Sequence, residues 1–283
     1  MLKQRIATAL VLAALFLGAL FGLGALGFAL FAAAVIAVGA WEWSRLAGVA
    51  APTARVACLL AVVLLLAGLY HFAGFGAAEA APGVIRPVLL IGCLWWALAL
   101  LWVQGYPSSA LLWGSVAVRL LMGLAVLVPA WLALTVLGHI EGGRVLILLV
   151  VLVVAAADIG AFFTGRAIGR HKLAPDVSPG KTIEGLAGGL VAVLVLAALF
   201  LAFSPAHQPE WWQWSLVVAV TALASVLGDL VESMVKRHRG VKDSGTILPG
   251  HGGILDRIDS LSAALPVFTL LYLLLIAGDS WPK

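Results

Sequence analysis

The sequence predicts an all-α integral membrane protein, a polytopic bundle of about nine transmembrane helices. Three observations predict it. Of the 283 residues, 63% are hydrophobic and 11% charged, with a mean hydropathy of +1.13, well above the ~45–50% apolar share of globular chains. Apolar runs of roughly 20 residues, the length of helix that crosses a bilayer, recur along the chain. In hydrocarbon each run must satisfy its own backbone groups, which makes the runs helices.

The spans are expected near residues 6–23, 25–43, 56–73, 88–104, 114–138, 145–164, 185–203, 212–231 and 261–277. The opening MLKQRIATALVLAALFLGAL imitates a signal peptide, but its apolar run continues almost to Trp41 without a clear cleavage site. It reads as a retained first span. No polar loop separates the first two spans, so the glycines between Gly22 and Gly27 supply the turn of a tight hairpin. GLGALG in that turn matches a dinucleotide fingerprint but lacks the strand that such chemistry needs before it. Close helix packing explains it instead. Cys58 and Cys93 lie inside apolar runs and read as inert buried thiols. The tryptophans of WEW, WW and WWQW fall mostly near span ends and are expected to form an interfacial belt. Arg119 and Asp158 lie within apolar runs, where an unpaired charge costs at least ~2.5–3.5 kcal/mol. The two either pair as structural glue or serve a site. For Asp158 the site is favoured, because the chain runs on from it into a polar loop.

Charge sets the topology. Lys3 and Arg5, then Arg166, Arg170, Lys172 and Lys181, then KRHRGVKDSGTILPGHGGILDRID from Lys236 to Asp259 are separated by even numbers of crossings. They share a side, which the positive-inside rule makes cytoplasmic. A nine-span count puts the C-terminus on the other side. The net charge of +4 is thus a topology signal, and no basic arm or aromatic-interleaved patch points to nucleic acid. Residues 1–150 are Leu/Ala/Val packing suited to lipid access, with room for homodimer contacts. Residues 151–283 form the chemical region, with cytoplasmic loops at 165–184 and 232–260.

Eight charged residues crowd into Lys236–Asp259: Lys236, Arg237, Arg239, Lys242, Asp243, Asp256, Arg257 and Asp259. Just before them, helical spacing aligns Ser225, Asp229, Glu232, Ser233 and Lys236 on one face, and in HGGILDRIDSLS it aligns Asp256, Asp259 and Ser260. Carboxylates suit a hard cation, whereas Lys and Arg suit phosphate oxygens. Gly250, Gly252 and Gly253 let the backbone approach a ligand and offer its N–H groups. A solvated basic loop accounts for Lys236 to Lys242 but not for Asp229, Asp256 and Asp259. The residues alone point to a membrane enzyme that handles a phosphate–Mg²⁺ group at its cytoplasmic face.

SMVKRHRGVKDSGTILPGHGGILDRID (Ser233 to Asp259) and DIGAFFTGRAIGRHKLAPDVSPGKTIEG (Asp158 to Gly185) resemble the two sequence clusters of the phosphatidate cytidylyltransferase (CDP-diacylglycerol synthase) family. The resemblance covers roughly residues 150–265; the first half matches only in being apolar. It implies transfer of a cytidylyl group from CTP to phosphatidate, giving CDP-diacylglycerol and pyrophosphate for phospholipid biosynthesis. It also implies a bacterial inner membrane, an active site facing the cytoplasm, and Mg²⁺ as cofactor, with a second cation site left open. Asp229 and Asp256 would hold Mg²⁺, with Asp259 as a further ligand and Glu232 nearby. Lys236, Arg237, Lys242 and Arg257 would hold the triphosphate and the leaving pyrophosphate. Ser178, Lys181 and Thr182 would close the nucleotide side, Asp158 would face the site, and Ser233, His251, Gly252 and Gly253 would contact substrate. His251 is not needed as a base, since a phosphomonoester with a second pKa of about 6 is already largely dianionic at pH 7.

Two rivals remain. A CTP-dependent polyprenol or phytol kinase would transfer the γ-phosphoryl group to an alcohol and would need a base. A cation or proton-coupled transporter would keep its charges near the midplane, whereas these cluster at one interface.

Overall fold

Helix α1 (Leu2–Gly22) turns back within two residues into α2 (Ala25–Ala47), as the glycines there predict. The computed structural model describes residues 2–77, 80–203, 210–248, 250 and 252–278, with side chains from residue 6 onward. Helices α3 (Pro52–Phe72) and α4 (Pro82–Gln104) each place proline in the first turn, where its missing N–H leaves no bond unmade. The short α5 (Ala110–Trp113) leads into α6 (Val116–His139), whose N-cap Ser115 accepts from the Val118 N–H at 3.3 Å. Then follow α7 (Gly143–Ile168), an antiparallel hairpin of β1 (Lys172–Ala174) and β2 (Ser178–Thr182), α8 (Ile183–Phe203), α9 (Trp211–His238) and α10 (Leu255–Leu275).

The expected spans correspond one to one with α1–α4 and α6–α10. Eight of these, α2–α4 and α6–α10, are long and apolar enough to cross a bilayer, and α1 adds the shorter apolar stretch Ile6–Gly22. The ends of α9 and α10 that flank the charged loop differ from expectation. Helix α9 runs on to His238 and α10 begins at Leu255, so the loop expected at 232–260 narrows to 239–254. Charged residues end an apolar run, but they do not end the backbone ladder. Glu232, Lys236, Asp256 and Asp259 therefore sit on helices.

Helix α6 is the most enclosed span and packs against α2, α3, α4, α7 and α10. The tryptophan belt is only partly realised. Trp211 and Trp212 are exposed, whereas Trp43, Trp96, Trp113, Trp131 and Trp214 are buried. Two of these tie helices together: the Trp43 indole N–H donates to the Arg119 carbonyl at 2.6 Å and that of Trp131 to the Ala29 carbonyl at 3.0 Å. An indole combines large apolar area with one donor, which suits it to such a contact.

Arg119 does not pair with Asp158. Its Nε donates to the Ala47 carbonyl (3.0 Å) and its Nη1 to the Gly114 carbonyl (2.6 Å). These are the C-terminal ends of α2 and α5, where orphan carbonyls and the helix dipole both favour a cation. Cys58 and Cys93 are free thiols.

Two helix crossings position the polar residues. Where α7 meets α8, a Cβ at Gly160 would lie 2.8 Å from the Gly188 carbonyl oxygen, and one at Gly189 would lie 2.7 Å from that of Ala157. Glycine there lets the backbones touch. Where α10 returns along α9, Gly228 lies against the Asp259 carbonyl with no space for a side chain.

Candidate active site

The site is built along the C-terminal end of α9. Asp229 accepts from the Ser233 hydroxyl at 3.1 Å through Oδ1 and pairs through Oδ2 with Lys181 Nζ at 2.7 Å. Two turns further on, Lys236 Nζ lies 2.7 Å from Asp256 Oδ1 and 3.4 Å from Glu232 Oε1. This second ion pair is well buried, with side-chain exposures of 11% for Lys236 and 6% for Asp256. The remaining Asp256 oxygen, Oδ2, accepts from Ser244 N (2.9 Å), Ser244 Oγ (2.8 Å) and Gly253 N (2.8 Å). Between the two aspartates, Asp259 accepts from its neighbour Ser260 N at 2.8 Å and interacts electrostatically with Asp229 and Glu232. Glu232 is 2% exposed, and its carboxylate oxygens accept no hydrogen bond among the described residues.

Lys181 reaches Asp229 from the β-hairpin. Lys172 pairs with Thr182 and Ala174 with Ser178, which turns the SPGKT segment back toward the bundle. Glu184, in the first turn of α8, fixes the base of that hairpin. Its carboxylate accepts from Arg170 N at 3.0 Å and lies 2.6 Å from His171 Nδ1. Thr182 Oγ1 accepts from Gly185 N at 3.1 Å. Arg237 joins the hairpin to α9, donating from Nε to the Val177 carbonyl at 3.3 Å. Beside this junction opens a cavity of about 390 Å³, lined among others by Asp158, Phe162, Arg166, Lys181 and Thr182. Asp158 interacts there with Lys181 and Asp229. It stands at the site, not in a structural pair with Arg119.

The structure thus brings Asp158, Lys181, Thr182, Asp229, Ser233, Lys236, Asp256, Asp259 and Gly253 into one connected region. Ser178 starts β2 opposite Ala174 and does not line the cavity. Gly252 takes the left-handed backbone (φ 79°) and pairs across the loop with Leu248. Lys242 is exposed, with no hydrogen bond or ion pair among the described residues. Arg257 is exposed and lines an apolar groove with Phe16, Phe28 and Ile258. Its spacing one residue after Asp256 rotates it about 100° away. His251 lies outside the described residues.

One contributor escaped the sequence reading. Glu42, 3% exposed on α2, accepts from Leu255 N at 2.8 Å, Ile254 N at 3.2 Å and Ser244 Oγ at 3.3 Å. Arg45, also on α2, donates from Nη2 to the Ser244 carbonyl at 2.5 Å. The available signal was Glu42 itself, a carboxylate at the end of an apolar run, where an ionisable residue marks a site by default. It stands inside WEW, whose tryptophans by themselves suggest only an aromatic belt.

Asp158, Asp229, Asp256, Asp259 and Glu232 outnumber the two lysines among them, Lys181 and Lys236. No three of these groups form a preformed metal cage among the described residues. Magnesium, however, usually binds through one or two carboxylates together with substrate phosphates. The hard-oxygen donor set and the Glu232 carboxylate, buried without a hydrogen bond, fit such a cation arriving with an anionic ligand.

Residues 3–275 match the model of the "Cytidylyltransferase family". The protein named phosphatidate cytidylyltransferase of Pseudomonas aeruginosa is 46% identical over 271 residues, covering 96% of this chain and 97% of its own length. The one of Haemophilus influenzae is 43% identical over 285 residues, covering 96% of this chain and 99% of its own. That of Bacillus subtilis is 49% identical over 126 residues, 44% of each chain. With a match from the first helix to the last and similarity of this depth, the chain belongs to the cytidylyltransferase family.

Proposed function

We propose that this membrane protein transfers the cytidylyl group of CTP to phosphatidate, forming CDP-diacylglycerol and pyrophosphate in phospholipid biosynthesis. The observation that carries the reading is near-full-length similarity to proteins named phosphatidate cytidylyltransferase. It is supported by an arrangement in which lysines and carboxylates converge beside a membrane-level cavity.

A phosphate oxygen of phosphatidate attacks the α-phosphorus of CTP. The bond from that phosphorus to the α,β-bridging oxygen breaks, and pyrophosphate leaves with the electron pair. The attacking phosphate is already largely dianionic at neutral pH, so no side chain has to remove a proton. The work left to the protein is positioning and charge neutralisation. Lys181 and Lys236, now paired with Asp229 and Asp256, turn toward the triphosphate and the departing pyrophosphate. Arg237 and Lys242 add positive charge at the cytoplasmic mouth, and the Gly252–Gly253 backbone approaches the phosphates. Thr182 and the SPGKT hairpin enclose the nucleotide. Asp229, Asp256 and Asp259 would hold Mg²⁺, whose role when bound is to neutralise triphosphate charge. Phosphatidate enters from the bilayer past Phe162, exposed on α7. This face would lie on the cytoplasmic side of a bacterial inner membrane, a reading that the positive charge of its loops supports.

The test uses purified protein with phosphatidate, and in parallel with a polyprenol or phytol, and CTP labelled in either the α- or the γ-phosphate. Cytidylyl transfer carries the α-label into the lipid and the γ-label into pyrophosphate. A γ-label in the lipid would establish the kinase reading instead.

A further inference from the structure

The half of the chain that resembles packing alone sends one carboxylate into the catalytic loop. Glu42 meets Ser244, Ile254 and Leu255 across more than 200 positions of sequence. Ile254 and Leu255 begin α10, where the first N–H groups have no partner within the helix. A helix of this kind is ordinarily capped by its own N-cap side chain, yet Ile254 has nothing to offer. The Glu42 carboxylate takes that place from another helix, and its negative charge suits the positive end of the α10 dipole.

The same carboxylate explains two glycines in the loop. A Cβ at Gly245 or at Gly253 would run into the Glu42 side chain. Ser244 then links the two acids, its hydroxyl lying 3.3 Å from Glu42 Oε2 and 2.8 Å from Asp256 Oδ2. Arg45 holds the Ser244 carbonyl from the other side. The first turn of α10, the Ser244 hinge of the loop and Asp256 are thus all referred to one fixed point on α2.

We infer that Glu42 is a positioning residue for cytidylyl transfer: it sets the place of Asp256 and of the Gly252–Gly253 backbone relative to the nucleotide phosphates. This inference rests on the functional reading above. Its effect falls on turnover, because displacement of aligned groups by an ångström is enough to slow a positioned reaction. The lipid side, across α9 and α7, is left alone.

The experiment compares wild type, Glu42→Gln and Glu42→Asp, each as the monodisperse detergent-purified full chain reconstituted with phosphatidate. Glu42→Gln turns an amide toward N–H donors and is expected to lower kcat about 10–100-fold while the KM for phosphatidate stays within about twofold. Glu42→Asp keeps the charge and is expected to recover part of the loss. Glu42→Gln combined with Ser244→Ala is expected to be little worse than the poorer single variant, since the two act as one unit. Wild-type kcat in Glu42→Gln overturns the inference, as do losses that simply multiply in the double variant. If Glu42→Gln yields no folded protein, Glu42→Asp decides on the same terms: reduced kcat supports the inference and wild-type kcat overturns it. A wild-type protein that forms no lipid-linked cytidylate defeats the functional reading itself, a result distinct from either outcome for Glu42.

Discussion

Replacing Lys236 by Met strips the cation from two carboxylates at once. Lys236 Nζ is 2.7 Å from Asp256 and 3.4 Å from Glu232, and both acids are almost fully enclosed. Asp256 keeps its three other donors, Ser244 N, Ser244 Oγ and Gly253 N. Glu232 keeps none. Removing one member of a buried ion pair costs ~3–5 kcal/mol, and Glu232, left beside only the Asp259 carboxyl, is the group that loses most. Most of that cost should trace to Glu232, so adding Glu232→Gln to Lys236→Met should return about 1–3 kcal/mol as coupling between neighbours. Denaturation by SDS in mixed micelles, applied to both single variants and the double, measures that cycle. Additivity within about 0.5 kcal/mol would refute the reasoning, because groups without a shared interaction behave that way. Activity is a separate readout: the double variant regains stability but not turnover.

Further outcomes follow from the same geometry. Lys181→Ala or Arg237→Ala should raise the KM for CTP or lower kcat while membrane insertion is unchanged, and unaltered kinetics in both would return these residues to a topological role. Asp158→Asn should lose activity yet fold, and Arg119→Leu should not restore stability to Asp158→Leu, because Arg119 is held by the Ala47 and Gly114 carbonyls. Asp229→Asn and Asp256→Asn should each abolish most turnover, with the double variant little worse than either. Titrating Mg²⁺ across that set checks the metal ligands, and full activity in EDTA would exclude them.

The spans were legible because hydrophobic length is a one-dimensional property, and so were Asp229, Glu232 and Lys236, which share a face by helical spacing alone. The ends of α9 and α10 were not, since the apolar signal stops at the first carboxylate while the helix continues to His238 and begins again at Leu255. Asp158 could be suspected from its flanking loop. Its partner could not: Lys181 arrives on a hairpin whose Lys172–Thr182 pairing is too short to leave a strand pattern. For Arg119 the sequence leaves open a pair with Asp158 or a place in a site, whereas backbone carbonyls at two helix ends hold it, and no side-chain pattern records them. Arg257 belongs by motif to the phosphate-binding set, but one residue of helical rotation separates it from Asp256, and it lines the groove beside Phe16 and Phe28. Glu42 was least legible of all, because its meaning lies in contacts more than 200 residues away.

The crossing of α7 and α8 through Gly160, Gly188 and Gly189 has a mechanical consequence. Backbones in direct contact have no rotamers to rearrange between them, so the interface has no soft mode by which one helix can slide along the other. Asp158, midway along α7, and Lys181, just before α8, are thereby carried on two helices that touch backbone to backbone. The ion pair from Lys181 to Asp229 crosses from that pair of helices to α9, so a ligand that draws Lys181 away also loosens a tie between α9 and the hairpin.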